Sequence, residues 1–182
     1  MESQKLKLNS HELRKSAVGK SAKKQKEITR NPVVIVLDNV LDTYNIGSFF
    51  RLADAVSAEK LILCGPVVTP PNLKIHRASI GTWKWVPWVH YDSTLDAVKD
   101  LKSQGYHIAA IEQASNSVDY LKAEYDYPLA IIAGSESNGV GDEVLKIVDK
   151  VIELPMYGVN VSLNVLVATS IVIYHALTKI KK

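Results

Sequence analysis

LPMYGVNVSLNVLVATSIVIYHAL, residues 154–177, leaves a strand at Pro155, crosses a short polar loop and enters an apolar helix at Ser162-Leu163-Asn164. Ser162 and Asn164 place a hydroxyl and an amide at the mouth of that helix, where the first turn leaves N–H groups unpaired. Taken alone, they read as caps. The loop before them points further, because Gly158 lets backbone approach a ligand closely and Met156 offers a soft apolar wall.

Two other segments share this layout. Residues 31–57, NPVVIVLDNVLDTYNIGSFFRLADAVS, run from a β-branched stretch at 33–37 through a polar loop into a helix opened by Asn45, with Gly47 in its first turn and Arg51 further along. Residues 129–148, LAIIAGSESNGVGDEVLKIV, give a buried strand, then a loop in which Gly134, Gly139 and Gly141 surround the carboxylate of Glu136, then a helix capped by Asp142. All three segments carry polar residues at the carboxyl end of an apolar strand. In open parallel sheets that edge is where ligands bind.

Between these segments strand and helix patterns alternate. Strands are expected at 33–38, 60–64, 86–91, 106–112, 129–134 and 150–154, and helices at 45–56, 73–79, 93–103, 142–148 and 162–179. Alternation of this kind implies an α/β fold, a largely parallel sheet flanked by helices. No linker or internal repeat divides the body, so one domain is expected over 31–182, preceded by a short extension over 1–30.

The extension is basic. It holds nine Lys or Arg against three Glu, a surplus of six, which leaves the rest at −3 beneath an overall charge of +3. Such an arm favours phosphate-rich partners through counterion release, although most charge runs are only solvated surface. Residues 16–27 read as its disordered or induced-fold part, while Leu6, Leu8 and Leu13 suit docking on the body.

The 182 residues are 47% hydrophobic and 23% charged, an ordinary globular balance with no run near the roughly 20 apolar residues of a membrane span. No membrane partner and a cytoplasmic location are therefore expected. Cys64 is the sole cysteine and reads as a small core residue, and the five His lack ligand spacing, so no metal is expected. The dinucleotide, P-loop and serine-hydrolase signatures are missing. Trp83, Trp85 and Trp88 read as packing aromatics in preference to base-stacking ones.

NIGSFFRLADA with Asn45 and Arg51, IIAGSESNGVG around Glu136, and LPMYGVNVSLNVLVA with Ser162 and Asn164 resemble the three ordered motifs of the SpoU/TrmH-type RNA ribose 2′-O-methyltransferases of the SPOUT superfamily. HRASIGTWKWVPW, from His76, resembles the connection after that family's second strand. The resemblance spans about 31–180. It implies a C-terminal trefoil knot, S-adenosyl-L-methionine as cofactor, a homodimer, and tRNA or ribosomal RNA as partner. Leu52, Ser137-Asn138, Leu166 and Thr169 depart from the family's usual wording, but the polar signature positions are all present.

Roles follow from the resemblance together with chemistry. Gly134, Leu154 and Leu163 match positions that hold the cofactor, with Met156 beside them: a glycine permits close approach and the apolar side chains make a dry adenine slot. Arg51 is the leading catalytic candidate. A guanidinium stays protonated, so Arg51 is assigned to an RNA phosphate and to the developing alkoxide. Asn45 and Asn164 orient ribose and arginine, Ser162 supports them, and Glu136 fixes a loop or a donor such as Arg51. Two other classes compete: a catalytically silent RNA-binding protein of the same fold, and a small-molecule methyltransferase that would not need the basic arm.

Overall fold

The computed structural model describes residues 28–180. The expectations for the basic arm over 1–27 lie outside the described residues, whereas Arg30 is held by the body, donating to the carbonyls of Ala58 at 2.9 Å and Trp85 at 3.1 Å.

Strand β1 (Asn31–Asp38) is buried from Val33 onward because both of its faces are covered. Helix α1 (Thr43–Ala55) leads to β2 (Ala58–Cys64), and α2 (Leu73–Ser79) with a 3₁₀ turn (Thr82–Lys84) leads to β3 (Trp88–Tyr91). Helix α3 (Thr94–Ser103) precedes β4 (His107–Ile111), the short β5 (Val118–Asp119) and β6 (Leu129–Gly134). A single turn, α4 (Asp142–Leu145), β7 (Lys150–Glu153) and α5 (Val165–Thr178) complete the chain.

The seven strands of the described residues are all parallel, in the order β3-β2-β1-β6-β4-β7-β5. The expected α/β sheet flanked by helices is therefore present. After β3 the chain crosses to β4 and leaves a place beside β1, which β6 later fills, pairing Asp38 with Gly134 and Ile111 with Ala133. The carboxyl ends of β1, β6, β4 and β7 thus converge on one edge, where the strand order turns back on itself and a crevice opens.

Alternate side chains of each strand feed two cores. Ile35, Leu37, Leu61, Leu63 and Ile131 pack under Phe49 and Phe50 of α1 and Val172 and Ile173 of α5. Val34, Val36, Ile62, Ile108 and Ile132 pack under Val98 and Leu101 of α3 and Val144 of α4. Cys64 belongs to this second core as expected, and burial pushes its thiol up to about 12. The tryptophans pack against the first core: Trp88 meets Phe50 edge-on, Trp85 donates to Asp54 at 2.7 Å and Trp83 to His76 at 3.1 Å.

Local boundaries shift by a few residues, and the caps explain why. Asp42, not Asn45, caps α1, accepting from Tyr44 N at 2.9 Å. Asn164, not Ser162, caps α5, which starts at Val165. Gly141 takes the N-cap position of α4, with Asp142 in the first turn. In each case several polar residues compete for one cap, and the backbone path selects among them. The edge strand β5 is too short to leave a periodic signal.

Candidate functional site

Because Asp42 satisfies the start of α1, Asn45 is free one turn in, and its side chain reaches out of the helix. Its Nδ2 donates to Glu136 Oε1, and its Oδ1 accepts from Asn164 Nδ2 at 3.4 Å. Asn164 meanwhile uses its own Oδ1 to cap α5, accepting from Leu166 N at 2.9 Å and Val167 N at 3.4 Å. One short chain of side chains therefore joins the loops after β1, β6 and β7.

Beside it lies a cavity of about 420 Å³ at the sheet's carboxyl edge. Gly134, Glu136, Leu154, Met156, Ser162, Leu163 and Asn164 all line it, so seven of the nine sequence candidates share one wall. A Cβ at Gly134 would run into the backbone of Gly139 and Val140. Only glycine lets the strand end and the returning loop lie that close. Ile111, Ala133 and Ile152 at the strand ends add apolar lining to that of Leu154 and Leu163.

Charge on the described wall is of one sign. Glu112, Glu136 and Glu153 line the cavity, and no Lys, Arg or His does. Such a lining attracts a cationic ligand and disfavours phosphates.

Arg51 stands apart from this wall. It is exposed on α1, and its guanidinium has no hydrogen-bond partner among the described residues. It lies four residues from Gly47, whose backbone is pressed against Ala78 and Ile75 of α2, so it shares the side of α1 nearest α2. Glu136, expected to fix a loop or a donor such as Arg51, holds a donor, and that donor is Asn45. A Cβ at Gly158 would meet no protein atom within 4 Å, so the protein itself leaves space beside that backbone. Ser162 faces the cavity without a capping bond.

Several wall residues escaped sequence reasoning, among them Glu112, Gln113 and Glu153. Glu112 and Gln113 follow β4; the Glu112 carboxylate accepts from Val140 N at 2.9 Å, and Gln113 Nε2 donates to Val161 O at 2.6 Å. The same strand-end rule that marked the other loops would have found them in IAAIEQ. Asp38, nearly buried at the end of β1, also braces the site's loops: it accepts from Gly141 N at 2.9 Å and from the Thr94 hydroxyl at 2.6 Å.

The model of the family described as SpoU rRNA Methylase matches residues 32–174. Among relatives, a tRNA (guanosine(18)-2′-O)-methyltransferase of Aquifex aeolicus is 33% identical over 155 residues, 85% of this chain and 70% of that protein. A Staphylococcus aureus protein named for the TrmH family of tRNA/rRNA methyltransferases is 34% identical over 86% of this chain, which spans 63% of that relative's length. Two solved structures superpose with a TM-score of 0.77. One is the A. aeolicus TrmH/SpoU tRNA modifying enzyme, 29% identical, with 86% of this chain and 82% of that one covered. The other is an AdoMet-bound rRNA methyltransferase from Sinorhizobium meliloti, 27% identical, with 87% of this chain and 61% of that one covered.

Proposed function

We propose that this chain, which belongs to the SpoU rRNA Methylase family, methylates a ribose 2′-hydroxyl of structured tRNA or ribosomal RNA, with S-adenosyl-L-methionine as donor. The observation that carries the proposal is the cavity at the carboxyl edge, with apolar walls at Leu154 and Leu163, a tight glycine at 134, three carboxylates and no described cationic side chain. These residues fit an adenosyl sulfonium: the leucines suit a flat purine, Gly134 admits close approach of backbone, and the acidic lining suits positive charge.

When bound, the donor supplies an electrophilic methyl group on a sulfonium. The protein's task is then placement and charge control. Asn45, fixed by Glu136 and Asn164, presents an amide to the incoming ribose. Arg51, exposed and unpaired among the described residues, binds an RNA phosphate and stabilises negative charge developing on the 2′-oxygen. A guanidinium makes a poor base, so in this reading the 2′-hydroxyl proton leaves to another acceptor, the neighbouring phosphate.

The proposal includes a homodimer and, by resemblance, a C-terminal trefoil knot. Leu163, Val167, Ile171 and Tyr174, 42%, 45%, 37% and 52% exposed, form one apolar stripe along α5 and its entry. A second copy of the same stripe would cover it by two-fold pairing. No helix among the described residues is long and apolar enough to cross a membrane, and the proposal places the enzyme in the cytoplasm.

Incubation with methyl-labelled S-adenosylmethionine and total cellular RNA tests the reading, followed by mapping of modified nucleotides. Label on a ribose 2′-oxygen is expected. Label on a base, or on a small molecule with RNA absent, overturns it; donor and RNA binding without transfer would instead identify a silent RNA-binding protein.

A further inference from the structure

Glu112 is half-buried at the end of β4 and lines the same cavity as Gly134 and Leu163. Its carboxylate is held from two sides: Oε1 accepts from Gln113 N at 2.9 Å and Oε2 from Val140 N at 2.9 Å. Gly139, at φ +64°, makes room for it, because a Cβ there would run into the Glu112 carboxylate. A fixed carboxylate on a cavity wall is a preorganised acceptor.

A carboxylate offers about four lone-pair sites, so one on each oxygen stays open to a ligand. Two parallel acceptors on one plane match two adjacent hydroxyl donors, and in dinucleotide-binding α/β sheets an acidic side chain grips a ribose hydroxyl. The other carboxylates of the wall are less suited. Glu136 is braced on one oxygen only, by Asn45, and Glu153 has no side-chain brace among the described residues. We infer that Glu112 accepts hydrogen bonds from the vicinal 2′,3′-hydroxyls of the nucleoside half of the methyl donor, and so selects ribonucleosides at that end of the cavity.

The inference rests on the methyl-donor reading above. It also couples donor binding to the loop that carries Glu136, since the same carboxylate holds Val140.

Titration calorimetry of the full chain with S-adenosylhomocysteine and with its 2′,3′-dideoxy analogue tests it. The wild type should bind the dideoxy compound at least about tenfold more weakly, as expected for lost hydrogen bonds to a charged group. E112Q should weaken S-adenosylhomocysteine by a similar factor, leave the analogue within about twofold of its wild-type affinity, and so erase the discrimination. E112D, which keeps the charge but withdraws it by one methylene, is the second variant should E112Q not fold, and is expected to erase most of it.

Equal weakening of both compounds by E112Q would mean a purely structural brace and overturns the inference. Equal binding of both by the wild type overturns it as well, while leaving the donor reading intact. Failure of the wild type to bind either compound overturns both readings.

Discussion

Asn164 Nδ2 donates to Asn45 Oδ1 at 3.4 Å although 119 residues separate the two. Asn164 also caps α5 through its Oδ1, so one side chain both starts a helix and reaches the site. The two jobs use different atoms and are separable. Asp at 164 keeps an oxygen for the cap and loses the amide donor. N164D is therefore expected to stay within about 0.5 kcal/mol of wild-type stability, whereas N164A loses about 1 kcal/mol, both measured by urea unfolding. Methyl transfer should fall at least about tenfold in both, the size of a lost orienting hydrogen bond. Wild-type turnover by either would remove Asn164 from the catalytic set.

Arg51 lies outside the cavity wall and has no described partner. R51A is therefore expected to leave the affinity for S-adenosylhomocysteine within about twofold and to lower kcat by at least about a hundredfold, the scale of a removed charge stabiliser. Calorimetry beside a single-turnover assay separates the two quantities. A large loss of donor affinity would show that Arg51 serves the cavity after all.

A methyl group at position 134 has nowhere to go, since the backbone of Gly139 and Val140 fills the space. Backbone cannot swing aside as a side chain would. G134A should cost more than about 2 kcal/mol, in the range of core overpacking, and abolish the rise in Tm that S-adenosylhomocysteine gives the wild type. A fully ligand-responsive G134A would place the donor elsewhere.

The stripe on α5 has a direct readout. Light scattering should give twice the chain mass for the wild type and a single chain mass for I171K, with unchanged helical circular dichroism. A wild type that stays monomeric at high concentration would discard the dimer.

Acid stability should depend on Asp149. Its Oδ1 takes a bond from Lys102 Nζ at 2.6 Å and its Oδ2 one from Ile108 N at 2.8 Å. Burial opposes ionisation, but these bonds outweigh it and hold the carboxyl below the usual carboxylate range. The unfolded chain then binds the proton more readily, so the stabilisation is full at neutral pH and fades as pH falls below about 4. The pair is partly exposed, and D149N should cost no more than about 1 kcal/mol near neutrality, the gap closing in acid. A gap that persists undiminished at low pH would refute the assignment.

Much of the site is legible in the sequence. The runs at 33–37 and 129–134 are apolar without alternation because β1 and β6 are covered on both faces, and that pattern survives in a bare sequence. Polar residues following such runs mark strand ends, and seven of the nine candidates named on that ground and by resemblance line the cavity. Local patterning by itself determined the α/β class, the polar loops and most element positions. Only the tertiary structure decided that β6 lies between β1 and β4, that Asn45 holds Glu136, that Asp42 and Asn164 take the caps, and that Glu112 joins the wall. Those outcomes depend on which groups meet across 91 or more residues of chain for the Asn45 contacts, and a side-chain amide or carboxylate carries no local trace of the distant partner that will satisfy it.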